Sequence, residues 1–461
     1  MSVTFEPATR PARSSGRRAP EPRPAPAPRP RLLDAALVVV GLGFGATVGS
    51  AIIVETASQL QAPGGVAMFL GNLTGMAGTY LALVMVLLVS RIPHIERILG
   101  QDGLLRWHRR LSPWPISLIV AHAILLTYAY AEASHSGLLA QLASFVSSYS
   151  GMLIAIVGLG LMVLAAVLSI YSVRRRLRRE TWWAIHLGMY LALALAFSHE
   201  LALGPSFVGH PVTQVLWSVA WAATAGVVLA YRFGLPAYRT LRYRLKVVEV
   251  RRETEDVVSL ILEGRDLDRL AVSGGQFFEW RFLTPKLWWQ AHPYSLSARP
   301  KPPYLRLTVK AVGDHSSALA ELAPGTRVAI EGPYGAFTTH ARRRQKAAII
   351  CGGIGITAAR ALLEDLPKKS DPAVLWRVST EEHAALAGEV EELVRRRRGT
   401  LHVVAGNREE VSLHRVARLV PDLRQRDVFV CGPEGFVEAT RQVLAGEGVP
   451  PEAVHYEVYA L

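Results

Sequence analysis

Two cysteines, Cys351 and Cys431, are all that the 461 residues contain. A disulfide scaffold is therefore excluded, and the half that carries them fits a reducing cytoplasm. No EF-hand loop occurs, so calcium control through that motif is not indicated. Charge is scarce as well, at 19% of residues, yet the net value is +14. A basic balance can signal nucleic acid, but here the excess sits in the N-terminal tail, in Arg174–Glu180 and in Tyr238–Arg244. Those stretches flank apolar segments, where the positive-inside rule places Lys and Arg, so no nucleic-acid partner is expected. Residues 1–31, rich in Pro, Ala and Arg, cannot build a core and are expected to form a disordered cytoplasmic tail. The apolar segment that follows is long enough to remain as a membrane helix rather than be cleaved as a signal peptide.

What is abundant is apolar sequence. Runs near Leu32–Val54, Val66–Val89, Trp114–Ala131, Gly151–Tyr171, Trp182–Leu203 and Val212–Tyr231 each approach the ~20 residues needed to cross a bilayer. Basic residues cluster after the second, fourth and sixth runs and are nearly missing after the first, third and fifth. That alternation predicts both termini in the cytoplasm. The expected lipid-facing partner is the bilayer, and the location a multi-pass cell-membrane protein.

Four histidines punctuate these runs. His108 and His122 are fourteen residues apart, and His186 and His199 thirteen. Ionisable rings at membrane depth are costly and point to function. The third and fifth spans run in the same direction, so His108 matches His186 in depth, and His122 matches His199. Each pair could clamp one haem iron from both faces. On straight helices His122 returns to within ~40° of His108, whereas His199 lies ~140° from His186. The fifth span is therefore expected to be distorted near Gly188, or His186 to lie at a frayed start. His94, His135 and His210 have no matched partners and read as surface residues.

The two histidine spacings resemble the ferric reductase and NADPH oxidase transmembrane domain. In that family the four residues ligate two b-type haems, and the likeness extends over all six spans.

From Leu245 the pattern changes to short alternating runs, which predict an antiparallel barrel of five or six strands. Within it, His292, Pro293, Tyr294, Ser295 and Ser297 place an aromatic ring beside two hydroxyls, a set that can hold a flavin. Gly313, Ser316 and Ser317 open a helical stretch, where hydroxyls and free N–H groups favour a pyrophosphate. With Glu331–Gly335 the order closely resembles the ferredoxin–NADP reductase flavin domain. That family usually has Arg where His292 stands, a departure shared with the NADPH oxidases.

From Gln345 strands and helices alternate. Gly352, Gly353 and Gly355, with Thr357, form a strand–turn–helix phosphate cradle, though not the G-x-G-x-x-G fingerprint. This turn and Cys431-Gly432-Pro433 resemble the reductase family's two cofactor signatures. The resemblance puts Cys431 beside the nicotinamide carbon that gives up hydride. It puts Ser379 and Arg408 at the adenosine 2′-phosphate, with Arg377 a weaker candidate, which favours NADPH while leaving NADH possible. The terminal Glu457 and Tyr459 resemble the family's Glu-Val-Tyr end, whose aromatic covers the flavin.

The expected fold is a multi-domain membrane protein. It comprises a tail (1–31), a six-helix transmembrane di-haem bundle (32–240), an antiparallel FAD-binding β-barrel (241–342) and an α/β NAD(P)H-binding domain with a parallel sheet (343–461). The resemblance implies an oxidoreductase passing electrons from NADPH through FAD and two b-type haems to a small-molecule acceptor outside, either dioxygen, giving superoxide, or ferric iron. Reduction of a quinone or an external partner protein is an alternative. A soluble-type NADPH–flavin reductase on a haem-free anchor is another. Eukaryotic NADPH oxidases have a further His one turn beyond the outer ligand, where this chain has Leu126. Glu55 and Gln59 stand near the outer end of the first span with no Arg, so no dedicated polar oxygen pocket is expected. Oligomeric state is not legible in the sequence.

Overall fold

The computed structural model describes residues 31–54, 56–93, 95–96, 101–177, 179–406 and 419–459. Arg408, His94, Glu55 and the N-terminal tail lie outside the described residues. The chain divides into two compact units, one of Pro28–Ile92 and Asp102–Arg232, the other of Phe233–Leu461 with Pro93–Gln101.

Among the described residues, six helices are long and apolar enough to cross a membrane. Numbering these first, they are α1 (Arg31–Ile53), α2 (Gly65–Leu88), α3 (Pro113–Ala133), α4 (Met152–Ser169), α5 (Arg179–Leu203) and α6 (Pro211–Val228). The protein is a multi-pass membrane protein. Close helix packing has a sequence cause. Gly71, Gly75 and Gly78 line one face of α2, and a Cβ on them would meet Leu126, His122 and Ile119 of α3 at 2.6, 2.4 and 2.8 Å. Small residues let membrane helices approach to this range, where dispersion replaces the absent hydrophobic drive. Gly158 of α4 does the same against the Ala192 carbonyl of α5, at 2.8 Å.

One expectation changes, and two connections prove helical. α5 runs unbroken through Gly188 and past His186, so it is neither distorted nor frayed there. In the third span His108 lies on a helix, Gln101–Leu111, that runs through Ser112 into α3. Ser112 has helical φ and ψ of −55° and −30° and donates to His108 O at 2.9 Å, while Pro113 and Pro115 lack N–H donors. The connection after the third span contains a helix, Leu138–Ser148, whose Phe145 packs edge-on against Tyr130 and Tyr149. Finally, α6 continues through a π turn, Leu229–Gly234, into α7 (Leu235–Tyr243), so the basic segment after the sixth span is largely helical. Pro236 at the start of α7 cannot donate backward, and the π turn absorbs that gap.

The second unit begins with two three-stranded antiparallel sheets, ordered β1-β2-β5 and β4-β3-β6. Their strands are β1 (Lys246–Arg252), β2 (Val257–Glu263), β3 (Phe277–Phe282), β4 (His292–Ser295), β5 (Tyr304–Lys310) and β6 (Val328–Tyr334). Hydrogen bonds from Val247 N to Thr326 O and from Val328 N to Leu245 O join the sheets at one side. Alternation does the rest. Phe278, Trp280 and Phe282 of β3 point inward and are fully buried with Leu260, Leu262 and Leu307.

A parallel five-stranded sheet follows, ordered β11-β10-β7-β8-β9. Its strands are β7 (Lys346–Gly352), β8 (Ala373–Val378), β9 (Thr400–Ala405), β10 (Arg426–Pro433) and β11 (Val454–Tyr459). β7 and β10 are apolar on both faces, as expected of strands covered from both sides. The chain goes outward from β7 to β9 and then returns to the other side through β10. The strand order therefore reverses between β7 and β10, and ligands of open α/β sheets bind at the carboxyl ends of such a pair.

Candidate functional site

That switch point is built from the two glycine signatures. β7 ends at Gly352, and the turn Gly353–Gly355 leads into α8 (Ile356–Asp365). Gly353 has φ +54°, and a Cβ on Gly355 would meet the Cys431 carbonyl at 2.6 Å, so both positions require glycine. Trp376 Nε1 donates to the Gly353 carbonyl at 3.0 Å, and Thr357 Oγ1 donates to that of Ile354 at 3.0 Å. Thr357 thus holds the turn from within. Tyr459, at the end of β11, donates to Gly352 O at 2.5 Å and accepts from Gly355 N at 3.1 Å. Phe436 covers Gly352 and Gly432, a role no sequence signal marked.

Cys431 and Glu457 are register partners on adjacent parallel strands. Burial first, and then the Glu457 carboxylate, push the Cys431 thiol well above its ordinary range, so it stays protonated. Across from it, Ser295 of β4 donates to Glu457 Oε1 at 3.2 Å. The structure therefore brings Cys431, Glu457, Tyr459 and Ser295 to one place, where the barrel meets the parallel sheet. Ser379 is exposed and lines a cleft with Gly353, Ile354, His383, Val257 and Lys310.

On the barrel, His292, Tyr294 and His315 form one stack. The His292 and His315 ring centres are 3.7 Å apart, and Tyr294 Oη lies 3.1 Å from His315 Nδ1. Pro293 is exposed beside them. Two hydroxyls are engaged elsewhere. Ser297 is fully buried, accepting from Thr308 at 2.7 Å and from Arg306 Nε at 3.1 Å. Ser316 closes its own turn, accepting from Val312 N and Gly313 N. Ser317 is exposed at the same short helix, next to Gly313. The two lobes of this unit share a seam of ions. Glu389 accepts from Arg306 at 2.7 and 2.9 Å and from Arg360 at 2.8 Å.

In the membrane unit the four histidines come together as two pairs. The ring centres of His108 and His186 are 6.2 Å apart, and those of His122 and His199 are 6.4 Å apart. The rings of the two pairs are inclined by 80° and 48°. His122 Nδ1 lies 2.8 Å from the Gly71 carbonyl, which can only accept. Ser169 Oγ donates to Ala165 O and accepts from Trp182 Nε1, so it accepts from His186 Nδ1 at 3.2 Å. In both rings the proton is held on Nδ1, which leaves the Nε2 lone pair free for a metal. His108 and His199 have buried Nδ1 atoms near the Met85 and Ala196 backbone but make no hydrogen bond of ordinary geometry. One carboxylate escaped the sequence reading. Glu200 accepts from Trp217 Nε1 at 2.8 Å and from Thr79 Oγ1 at 3.2 Å, tying α5 to α6 and α2. Its presence inside an apolar span was itself the available signal.

After the membrane spans in the chain stand an antiparallel barrel and a parallel sheet with a glycine-lined turn at its switch point. Residues 74–197 match the family model described as ferric reductase like transmembrane component, 242–338 an FAD-binding domain and 349–442 an oxidoreductase NAD-binding domain. The three matches fall in the order of a ferric reductase-type membrane domain followed by FAD- and NAD-binding domains. A flavohemoprotein of Chromobacterium violaceum is 29% identical, over 49% of this chain and 61% of its own length. The ferredoxin reductase component of the Mycolicibacterium smegmatis 3-ketosteroid-9-alpha-monooxygenase is 31% identical, over 47% and 65%. The chain thus spans about three fifths of the curated relatives it matches. The FAD/NAD-binding domain of a Vibrio cholerae nitric oxide dioxygenase superposes with a TM-score of 0.41 at 25% identity, over 47% of this chain and 99% of that one.

Proposed function

We propose that this oxidoreductase passes electrons from cytoplasmic NADPH to a small acceptor outside the cell, with two b-type haems held in the membrane. The observation that carries the proposal is the spacing of the paired rings, 6.2 and 6.4 Å. Two metal–imidazole bonds of about 2.0 Å, plus about 1.1 Å from each nitrogen to its ring centre, need about 6.2 Å. His108 and His186 would hold the inner haem, His122 and His199 the outer one. Held by two histidines each, the haems would supply electron transfer rather than ligand binding. Bound flavin converts a two-electron hydride donor into the single electrons that haem iron carries.

The remaining work belongs to side chains. Gly71 and Ser169 set the tautomer of one histidine in each pair. Tyr294, His292, Pro293, Ser295, Gly313 and Ser317 would bind the flavin, while Ser297 and Ser316 shape the loops that carry it. Gly352, Gly353, Gly355, Gly432 and Pro433 would cradle the nicotinamide cofactor, with Thr357 and Tyr459 holding the turn. Ser379 and Arg408 would select the 2′-phosphate, favouring NADPH over NADH. Cys431, kept protonated by burial and by the neighbouring Glu457 carboxylate, would present a neutral thiol where hydride leaves. Basic residues after the second, fourth and sixth spans put both termini in the cytoplasm.

Acceptor-dependent NADPH oxidation by the purified full chain is the test. Two b-type haems reduced by NADPH are expected, with turnover raised by oxygen or ferric chelate. Superoxide dismutase separates the two, and a quinone or partner protein is scored in the same assay. A spectrum without a Soret band after haem-replete expression would leave only the haem-free anchor.

Gly75→Ala gives an independent check. Its new methyl would stand 2.4 Å from His122 Nδ1, so the ring must move off the Gly71 carbonyl. Loss of such a supporting contact costs about 10–100-fold in metal affinity. We expect the purified variant to carry close to one haem per chain. Gly160→Ala, whose methyl would meet nothing within 4 Å, should keep both.

A further inference from the structure

His315 stands outside the flavin residues legible in the sequence, yet it is the centre of the stack they form. It follows Asp314 on the short helix Asp314–Ala318 and is 8% exposed. Its ring lies 3.7 Å from that of His292 and 6.2 Å from that of Tyr294, nearly parallel to both. Nδ1 meets the Tyr294 hydroxyl at 3.1 Å. Nε2 is buried and has no hydrogen-bond partner.

That orphan atom is the informative one. Burial and the neighbouring His292 push His315 down to about 4, so the ring is neutral at physiological pH. A neutral imidazole has one N–H and one lone pair. Whichever way the Tyr294 contact is polarised, Nε2 is left with an unmet donor or acceptor in a buried place. Native proteins rarely leave such an atom unsatisfied, and the exceptions call for an explanation. The ring that carries it packs between the buried Phe282 of the barrel core and His292 and Tyr294, two of the residues assigned above to the flavin.

We propose that His315 is a further flavin-binding residue, with Nδ1 fixing the Tyr294 phenol and Nε2 hydrogen-bonding a polar atom of bound FAD. The inference rests on the flavin reading of this barrel. It gives Tyr294 a reason to hold one ring orientation, and it gives His292 a flat surface to pack on in place of the usual Arg.

The test is FAD titration into the flavin-free full chain in lipid nanodiscs, followed by quenching of flavin fluorescence. The variants are His315→Gln, whose amide nitrogen reaches about as far as Nε2, His315→Asn, which reaches only about as far as Nδ1, and His315→Phe. Gln should bind FAD within about threefold of the unsubstituted protein, and Asn and Phe about tenfold or more weaker, the loss of one buried hydrogen bond. Any ranking in which Gln is not the best of the three, or in which all three match the unsubstituted chain, overturns the proposal. Should the substitutions unfold the barrel, the unsubstituted chain still answers. The Nε2 resonance of 15N-labelled His315 must shift when FAD is added, and an unmoved resonance overturns the proposal. If the unsubstituted chain takes up no FAD, the flavin reading falls with it; FAD uptake with the wrong ranking sinks this inference alone.

Discussion

His122→Leu is expected to remove the outer haem and stop electron delivery across the membrane while NADPH still reduces the flavin. The reasons are local. His122 is on α3 and faces His199 of α5 at 6.4 Å between ring centres. Leucine fills a similar volume but offers no lone pair, so only His199 would be left to hold the outer haem. The Gly71 carbonyl would lose the N–H it now accepts at 2.8 Å. Delivery to an outside acceptor should fall by about 100-fold or more, since ligand loss exceeds the 10–100-fold typical of supporting contacts. The inner pair is untouched, so one haem per chain should remain. Reduction of flavin by NADPH, followed at the flavin absorbance in stopped flow, should keep its rate. Outward reduction at the unsubstituted rate would refute the two-haem route.

The histidine pairing was legible because depth follows from counting residues along apolar runs, and depth alone selects partners. The helical phase was not. Pro113 and Pro115 remove two backward donors between His108 and His122 without ending the helix, while the fifth span that seemed to need a distortion has none.

In the reductase module, glycines were the best guides, because a turn that admits no Cβ leaves a mark at the level of single residues. Hydroxyls were poor guides. Ser295, Ser297 and Ser316 look alike in the sequence. The fold turns Ser295 toward Glu457, buries Ser297 against Thr308 and Arg306, and spends Ser316 on its own loop. The partners that decide these roles are up to 162 residues away. Glu389 was overlooked for the same reason, since its partner Arg306 is 83 residues distant.

Glu389→Ala is expected to loosen the seam between the flavin lobe and the nicotinamide lobe and to slow hydride transfer. Glu389 lies on α9 (Ala387–Arg396) and binds Arg306 of β5 with both oxygens. Arg360 of α8 donates to it as well. The two guanidinium side chains are only 12% and 7% exposed, whereas Glu389 is 39% exposed. Removing the carboxylate leaves Arg306 with Ser297 and Arg360 with Glu364 as its remaining partners. Breaking a buried pair costs 3–5 kcal/mol, and solvent at the carboxylate reduces this to about 2–3 kcal/mol. For a unit of this size that corresponds to a Tm lower by about 5–10 °C. Hydride transfer demands closer placement than folding does, because a misplacement near 1 Å can cost about 100-fold in rate. The NADPH-to-flavin rate should therefore drop about tenfold or more, with Glu389→Gln intermediate. The acid dependence has a definite sign. Burial alone would raise this carboxyl, but Arg306 and Arg360 outweigh it and hold it below its ordinary range. Its stabilisation is thus complete above the unfolded value of about 4.3 and is lost only as pH falls through the lower folded value. Between pH 5 and 8 the difference in Tm between Glu389→Ala and the unsubstituted protein should be constant, and it should shrink in stronger acid. A variant with the unsubstituted Tm and flavin-reduction rate would show that the seam neither holds the lobes nor sets their geometry.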